Sequence, residues 1–288
     1  MNESKRPVHD SLPDTQPARP ARPALASRAY FVLCLASGRL LRSVRYSTVR
    51  IVHQDGQPLV RKHRRFYAPL LIWMSYLLVR ILDGGVRVLT QRDWEQRERL
   101  LYQRLYGASI RVDADGTLVL PLLAAHTLAT VLEDPELEES IRKRAMEHAA
   151  IALADFHRLG FTHGDAMAEN VVVDLERGVA QWFDFETIHE ASRPHAWRRA
   201  DDLRALLVTC LVRTAPEKRV ETLELILDSY ADEDVTRVLA TSFTSVWRRS
   251  LTLHLLQAPL SFQCFGELGQ SLRERSRQSG RRDARNVK

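Results

Sequence analysis

Apolar side chains recur along this chain first with a period of two and later with the period of a helix. From Tyr46 to His53 the residues are β-branched and alternate with polar ones. Asp55-Gly56 then marks a turn and Leu59 to His63 follows, which predicts a β-hairpin. A second hairpin is expected over Ile110 to Leu120, around Asp115-Gly116. Between them, Thr-Gln-Arg-Asp at Thr90 has the form of a capping box and opens a helix that runs to about Tyr106, before Gly107. Trp94, Leu101 and Leu105 form its apolar stripe, and Glu98 falls on the same stripe, where a carboxylate needs a partner.

After Pro121 the pattern turns helical, with helices at about Glu136 to Leu159 and within Ala200 to Arg213, Pro216 to Tyr230 and Val235 to Leu256. One β interruption is expected in this half, at Val171 to Val173 and Gln181 to Phe183. Strands first and helices second indicate an α+β fold with a cleft at the junction near Leu120 to Ala124.

Composition narrows the class. With 288 residues, 45% hydrophobic and 27% charged, the chain buries a sizeable core and is neither disordered nor fibrous. The net charge of +6 conceals a partition: residues 1–65 carry 13 basic against 4 acidic side chains and residues 270–288 carry 7 against 2, leaving the body at −8. Basic ends on an acidic body suggest contact with an anionic surface. Three cysteines, Cys34, Cys210 and Cys264, have no short spacing and indicate neither a disulfide framework nor a zinc site, so a reducing compartment is expected. A cleavable signal peptide is not expected, because the first residues mix acids and prolines and the apolar stretch Ala29 to Ala36 is short. Residues 1–26 read as a disordered basic arm and 270–288 as a solvated basic tail. The tail lacks interleaved aromatics, so nucleic acid is not an expected partner.

The most informative stretch is HGDAMAENVVVDLERGVAQWFDFE, residues 163 to 186. If its two short strands pair about Arg177, Val171 lies opposite Phe183 and Asn170 opposite Asp184, with Asp165 just before the hairpin. An amide oxygen and a carboxylate at one end of a hairpin suit Mg²⁺, which binds through one or two carboxylates plus substrate phosphates. Asp165 is then left to accept or orient a hydroxyl proton.

His163, Gly164, Asp165 and Asn170, followed by Asp184-Phe185-Glu186, resemble the HxDxxxxN catalytic loop and DFG triplet of the protein-kinase-like phosphotransferases. The HGD form is most similar to the lipopolysaccharide core sugar kinase and aminoglycoside phosphotransferase branches. The resemblance implies ATP and Mg²⁺ as cofactors, Asp165 as catalytic base, Asn170 and Asp184 as metal ligands, and Asp202 as the aspartate that braces the catalytic loop. It also implies a lysine on a strand of the first lobe and a glutamate on the next helix. Lys62 occupies the lysine's place and is one of only five lysines in the chain. Glu98 is the favoured counterpart, with Glu95, off the apolar stripe, the alternative.

The departures are as instructive. No GxGxxG precedes the hairpin, the triplet lacks its glycine, no APE motif appears, and only fifteen residues, Thr187 to Asp201, lead to the next helix. That leaves little room to dock a peptide and favours a small hydroxyl acceptor. Between Lys62 and the Glu98 helix lies FYAPLLIWMSYLLV, residues 66–79, fourteen uncharged residues bounded by arginines. At about 1.5 Å per residue a helix of that length spans roughly 21 Å, short of a bilayer core of about 30 Å. It can lie in a membrane interface or pack against the protein.

The expected architecture is therefore a bilobal protein-kinase-like α+β fold: a small β-rich lobe over 27–120 carrying an apolar insert at 66–82, and a larger helical lobe over 121–269. The expected activity is transfer of the γ-phosphoryl group of ATP to a hydroxyl, on a sugar of a membrane-linked glycan such as lipopolysaccharide core, at the cytoplasmic, inner face of the membrane. The alternatives are a small atypical protein Ser/Thr kinase and an ATP-binding pseudokinase scaffold.

Overall fold

A computed structural model describes residues 47–81, 85–123, 125–244 and 267–275. The basic arm 1–26, Gly38, Cys34, Cys264 and most of the final tail lie outside these residues.

The first lobe begins with the expected hairpin, β1 (Ser47–Gln54) and β2 (Gln57–Arg64), paired from Ser47↔Arg64 to Gln54↔Gln57. Its two-residue turn puts Asp55 at φ 52° and Gly56 at φ 77°, the left-handed pair that matches strand twist. An apolar helix, α1 (Ala68–Ile81), follows, then a short strand β3 (Val86–Val88) and α2 (Gln91–Tyr106). The Thr90 side chain caps α2 by accepting from the Asp93 N–H, and Gly107 at φ 61° ends it. The second hairpin, β4 (Arg111–Val112) and β5 (Leu118–Pro121), completes a four-stranded sheet in the order β1-β2-β5-β4.

The second lobe is built from helices α3 (Leu128–Glu133), α4 (Glu139–Arg158), α5 (His195–Val212), α6 (Arg219–Tyr230) and α7 (Glu233–Thr244). Against them lies a three-stranded sheet of β6 (His126–Thr127), β7 (Val171–Asp174) and β8 (Val179–Trp182). The observed architecture is the expected bilobal kinase-like α+β arrangement. The core runs through both lobes, from Trp94, Leu101 and Leu118 to Phe156, Phe185, Leu203 and Leu207, all nearly inaccessible to solvent.

Three features depart from expectation. The β7–β8 ladder pairs Val171 with Trp182, so Asn170 stands opposite Phe183, whose N–H it receives at 3.0 Å, and not opposite Asp184. The reason is the turn: Asp174 Oδ1 accepts the N–H groups of Glu176 and Arg177, Gly178 sits at φ 65°, and the loop takes four residues, 175–178. Second, β3 pairs antiparallel with β9 (Thr187–His189), a strand between the two lobes that no local pattern announces. Third, residues 267–275 form a helix, α8, where the sequence suggests a solvated tail from Ser271. Leu268 and Leu272, one turn apart, are buried, and Arg275 bonds Glu224 and Asp228 on α6.

Candidate active site

The site is assembled where β2, α2, the segment before β7 and the segment after β8 converge. Alternation along β2 turns Lys62 and Arg64 inward. The Lys62 ammonium lies over the Trp94 ring and 3.7 Å from Glu98 Oε1. Its closer partners are Asp184, in direct contact, and Glu186 Oε1 at 2.9 Å. Burial works against this ammonium, but Asp184, Glu186 and Glu98 together outweigh it and raise its pKa.

Glu98 does more than face the lysine. Its Oε1 accepts from the Trp94 indole N–H and from the Phe185 backbone N–H, both at 3.1 Å, so α2 is fastened directly to the Asp-Phe-Glu triplet. Burial raises the Glu98 pKa, with Lys62 opposing. Glu95 is partly exposed and accepts from Gln91, which leaves Glu98 as the helix carboxylate nearest Lys62.

Asp165 and Asn170 are joined by a 3-10 turn, Ala168–Asn170. Asn170 Nδ2 donates to the Asp165 carbonyl at 2.8 Å and to its Oδ2 at 3.1 Å, keeping the amide Oδ1 available as an oxygen donor. Burial pushes the Asp165 carboxyl up to about 7, the Asp184 charge adding to the effect and the Asn170 hydrogen bond opposing it. Asp184 reaches the site by its backbone: one residue past the end of the ladder it adopts φ 66°, a left-handed conformation that a non-glycine residue holds only under constraint. Phe185 supplies that constraint, buried against Phe156 with ring centroids 5.8 Å apart and against His163 at 5.1 Å.

Behind the loop, Asp202 on α5 accepts the N–H groups of His163 (2.6 Å) and Gly164 (2.8 Å) and receives His157 Nε2 at 3.0 Å. Burial alone would raise its pKa, but His189 and His157 hold it below the ordinary carboxylate range. Arg97 on α2 donates to the Thr162 carbonyl at 2.5 Å, a second tie from that helix to the catalytic loop. The structure thus brings together Lys62, Glu98, Asp165, Asn170, Asp184 and Asp202. The pattern missed Arg97, His189, Arg64 and Glu186. Only Glu186 had a signal in the sequence, as the residue standing where the triplet's glycine is expected.

Among the described residues no group of three or more His, Cys, Asp or Glu side chains could hold a metal ion. The cleft offers instead one amide oxygen, Asn170 Oδ1, and the Asp184 carboxylate. That donor set fits Mg²⁺, which keeps open positions for phosphate oxygens and water.

Fold and site define the class: a protein-kinase-like phosphotransferase. Residues 118–241 match the family described as Lipopolysaccharide kinase (Kdo/WaaP) family. This is a kinase family, whose reaction is phosphoryl transfer to a hydroxyl. The matched stretch includes Asp165, Asn170, Asp184, Glu186 and Asp202 and begins beyond Lys62 and Glu98. No curated protein matches the chain. Among solved structures, an inhibitor-bound MAP kinase from Leishmania major is 18% identical, with 85% of this chain and 87% of that chain covered and a TM-score of 0.35.

Proposed function

We propose that this protein is an ATP- and Mg²⁺-dependent kinase that phosphorylates a sugar hydroxyl of a membrane-linked glycan, such as lipopolysaccharide core, from the inner face of the membrane. Asp165 takes the acceptor hydroxyl proton as its oxygen bonds to the γ-phosphorus, and the bond to the β-phosphate oxygen breaks to release ADP. Lys62 binds the nucleotide phosphates, with Glu98 behind it, and the adenine lies against the connection after β5. Asn170 and Asp184 would hold Mg²⁺, which when bound neutralises developing charge on the phosphates. Catalysis is then positioning and charge neutralisation by groups already in place.

The observation that carries the choice of acceptor is the shortness of the segment after the triplet. Only five residues, 190–194, separate β9 from α5. A peptide acceptor needs an extended platform there, whereas a sugar hydroxyl needs only access to Asp165. The lipid-linked part of the reading draws on the family match and on α1, whose Phe66, Leu70, Trp73 and Met74 side is exposed.

The test is incubation of purified protein with γ-labelled ATP and Mg²⁺ beside total membrane glycolipid and total soluble protein. Label should enter glycolipid, and Asp165→Ala should fold normally and lose at least about 10²-fold of the rate. Label confined to protein would replace the acceptor with a Ser/Thr side chain, and undiminished transfer by Asp165→Ala would remove Asp165 from the reaction.

A further inference from the structure

Lys62 has more carboxylates around it than phosphate binding requires. Glu98 and Asp184 are the two that the kinase reading uses. Glu186 is a third, and it is no solvated bystander: its side chain is 12% exposed, its Oε1 lies 2.9 Å from Lys62 Nζ, and Ser47 Oγ donates to the same oxygen at 2.7 Å. Its backbone is fixed, because the Glu186 carbonyl accepts the Leu89 N–H at 2.8 Å. Only the side chain is free to change partner. Nucleotide phosphates entering this cleft meet an ammonium already neutralised by carboxylate oxygens of the protein itself.

A second cation stands close by with unused donors. Arg64 lies two residues along β2 on the same inward face and is 8% exposed, with its guanidinium 4.6 Å from the Trp94 ring centroid. Nη1 donates to the Leu89 carbonyl at 2.8 Å, while Nε and Nη2 have no hydrogen-bond partner. One peptide residue, Leu89, therefore holds Arg64 through its carbonyl and Glu186 through its N–H. A buried guanidinium with two unmatched N–H directions is costly unless some state of the protein satisfies them.

Building on the nucleotide-binding reading above, we propose that Glu186 is a two-position carboxylate: it neutralises Lys62 while the cleft is empty and turns to the open Nε–Nη2 edge of Arg64 when nucleotide phosphates take Lys62. Phosphate binding is then an exchange of anions on Lys62, and the residue in place of the triplet's glycine sets how tightly phosphates are held. The adenosine part of the ligand takes no share in the exchange.

The experiment is a calorimetric titration of the full chain with ADP and, separately, with adenosine, both in chelator so that no metal contributes. Glu186→Gln should bind ADP about ten-fold more tightly than the unsubstituted protein, the scale of one charge-assisted hydrogen bond. Adenosine affinity should not change. Arg64→Gln should weaken ADP binding, and that loss should disappear in the Glu186→Gln background, where no carboxylate needs the guanidinium. Should Arg64→Gln not fold, Arg64→Lys serves the same comparison and the Glu186→Gln result stands by itself. Equal or weaker ADP binding by Glu186→Gln, or an Arg64 effect of the same size in both backgrounds, overturns the exchange while leaving the kinase reading intact. Failure of the unsubstituted protein to bind either ligand overturns both.

Discussion

His163 shows how one residue fixes the shape of the site and makes its stability depend on pH. Its Nε2–H donates to the Phe183 carbonyl at 3.0 Å and its Nδ1 accepts the Asp165 N–H at 3.3 Å, so the neutral ring bridges the catalytic loop and the metal-binding segment. Packed against Trp182 and Phe185, it is held neutral by burial, which lowers its pKa to about 4. In the unfolded chain the same ring titrates near 6.5. Between pH 6.5 and 4 the unfolded chain therefore binds a proton that the folded chain does not, and stability falls as pH falls through that window, by about 3 kcal/mol in all. Asp202, held below its ordinary range, acts in the same direction but only below about pH 4, where unfolded carboxylates take up protons. Urea midpoints measured at pH 7 and pH 4.5 should thus differ for the unsubstituted protein and converge in His163→Gln. An unchanged pH slope in that variant would move the origin of the effect to another group.

At the scale of elements, the pairing of β3 with β9 joins the approach to α2 to the strand that follows the catalytic triplet. Leu89 N–H to the Glu186 carbonyl and Glu190 N–H to the Gly85 carbonyl extend the ladder at both ends. With Glu98 bonded to Phe185 N–H, α2 has no free path away from the triplet, so the arrangement is built in and not switched. Gly85 is its tightest point: at φ 68°, a Cβ there would lie 2.5 Å from the Trp197 ring. Gly85→Ala should cost about 2 to 3 kcal/mol, from the left-handed backbone and the clash together. Amides of β3 and β9 should then exchange faster while those of α4 keep their protection. Uniform acceleration across the molecule would contradict a local tie. This tie also marks where sequence reading stops. The β1–β2 hairpin, the Thr90 cap and the Gly107 stop are local signals and were legible, as were Asp165, Asn170 and Asp184 from their spacing. Three-residue strands whose partners lie some hundred residues apart have no periodicity to read, and neither does the six-residue α3. The one-residue shift of the β7–β8 register depended on Asp174 capping its own turn. Glu186 was visible only as a missing glycine, because its meaning required Lys62, Ser47 and Arg64 to be near it in space.

Across the whole molecule, positive charge and exposed apolar surface fall in the same stretch of the first lobe. From Gly56 through Leu82 there is no Asp or Glu, while Arg61, Lys62, Arg64, Arg65 and Arg80 fall within that stretch. In the middle of it Phe66 is 94% exposed, and Leu70, Trp73 and Met74 stand out from α1 at spacings of four, seven and eight residues, one side of a helix. No described helix is long and apolar enough to cross a membrane. A short helix with exposed aromatics beside cationic residues instead suits the interface of an anionic bilayer, where apolar burial and attraction to lipid headgroups add. Docking there would bring a lipid-linked acceptor to the lobe that holds Lys62, because α1 leads through residues 82–84 into β3 and so to β9. The expectation is that the full chain floats with vesicles containing anionic phosphatidylglycerol at low salt, floats less at high salt, and does not float with purely zwitterionic vesicles. Leu70→Glu with Trp73→Glu should abolish flotation without lowering the melting temperature, since both side chains are exposed. Leu159→Glu, an equally exposed apolar position on the second lobe, should float as before. The same double variant should phosphorylate a soluble, lipid-free acceptor at the unsubstituted rate and lose most of its rate on vesicle-embedded glycolipid. Equal loss on both acceptors would place α1 in the fold or the active site and remove it from the membrane.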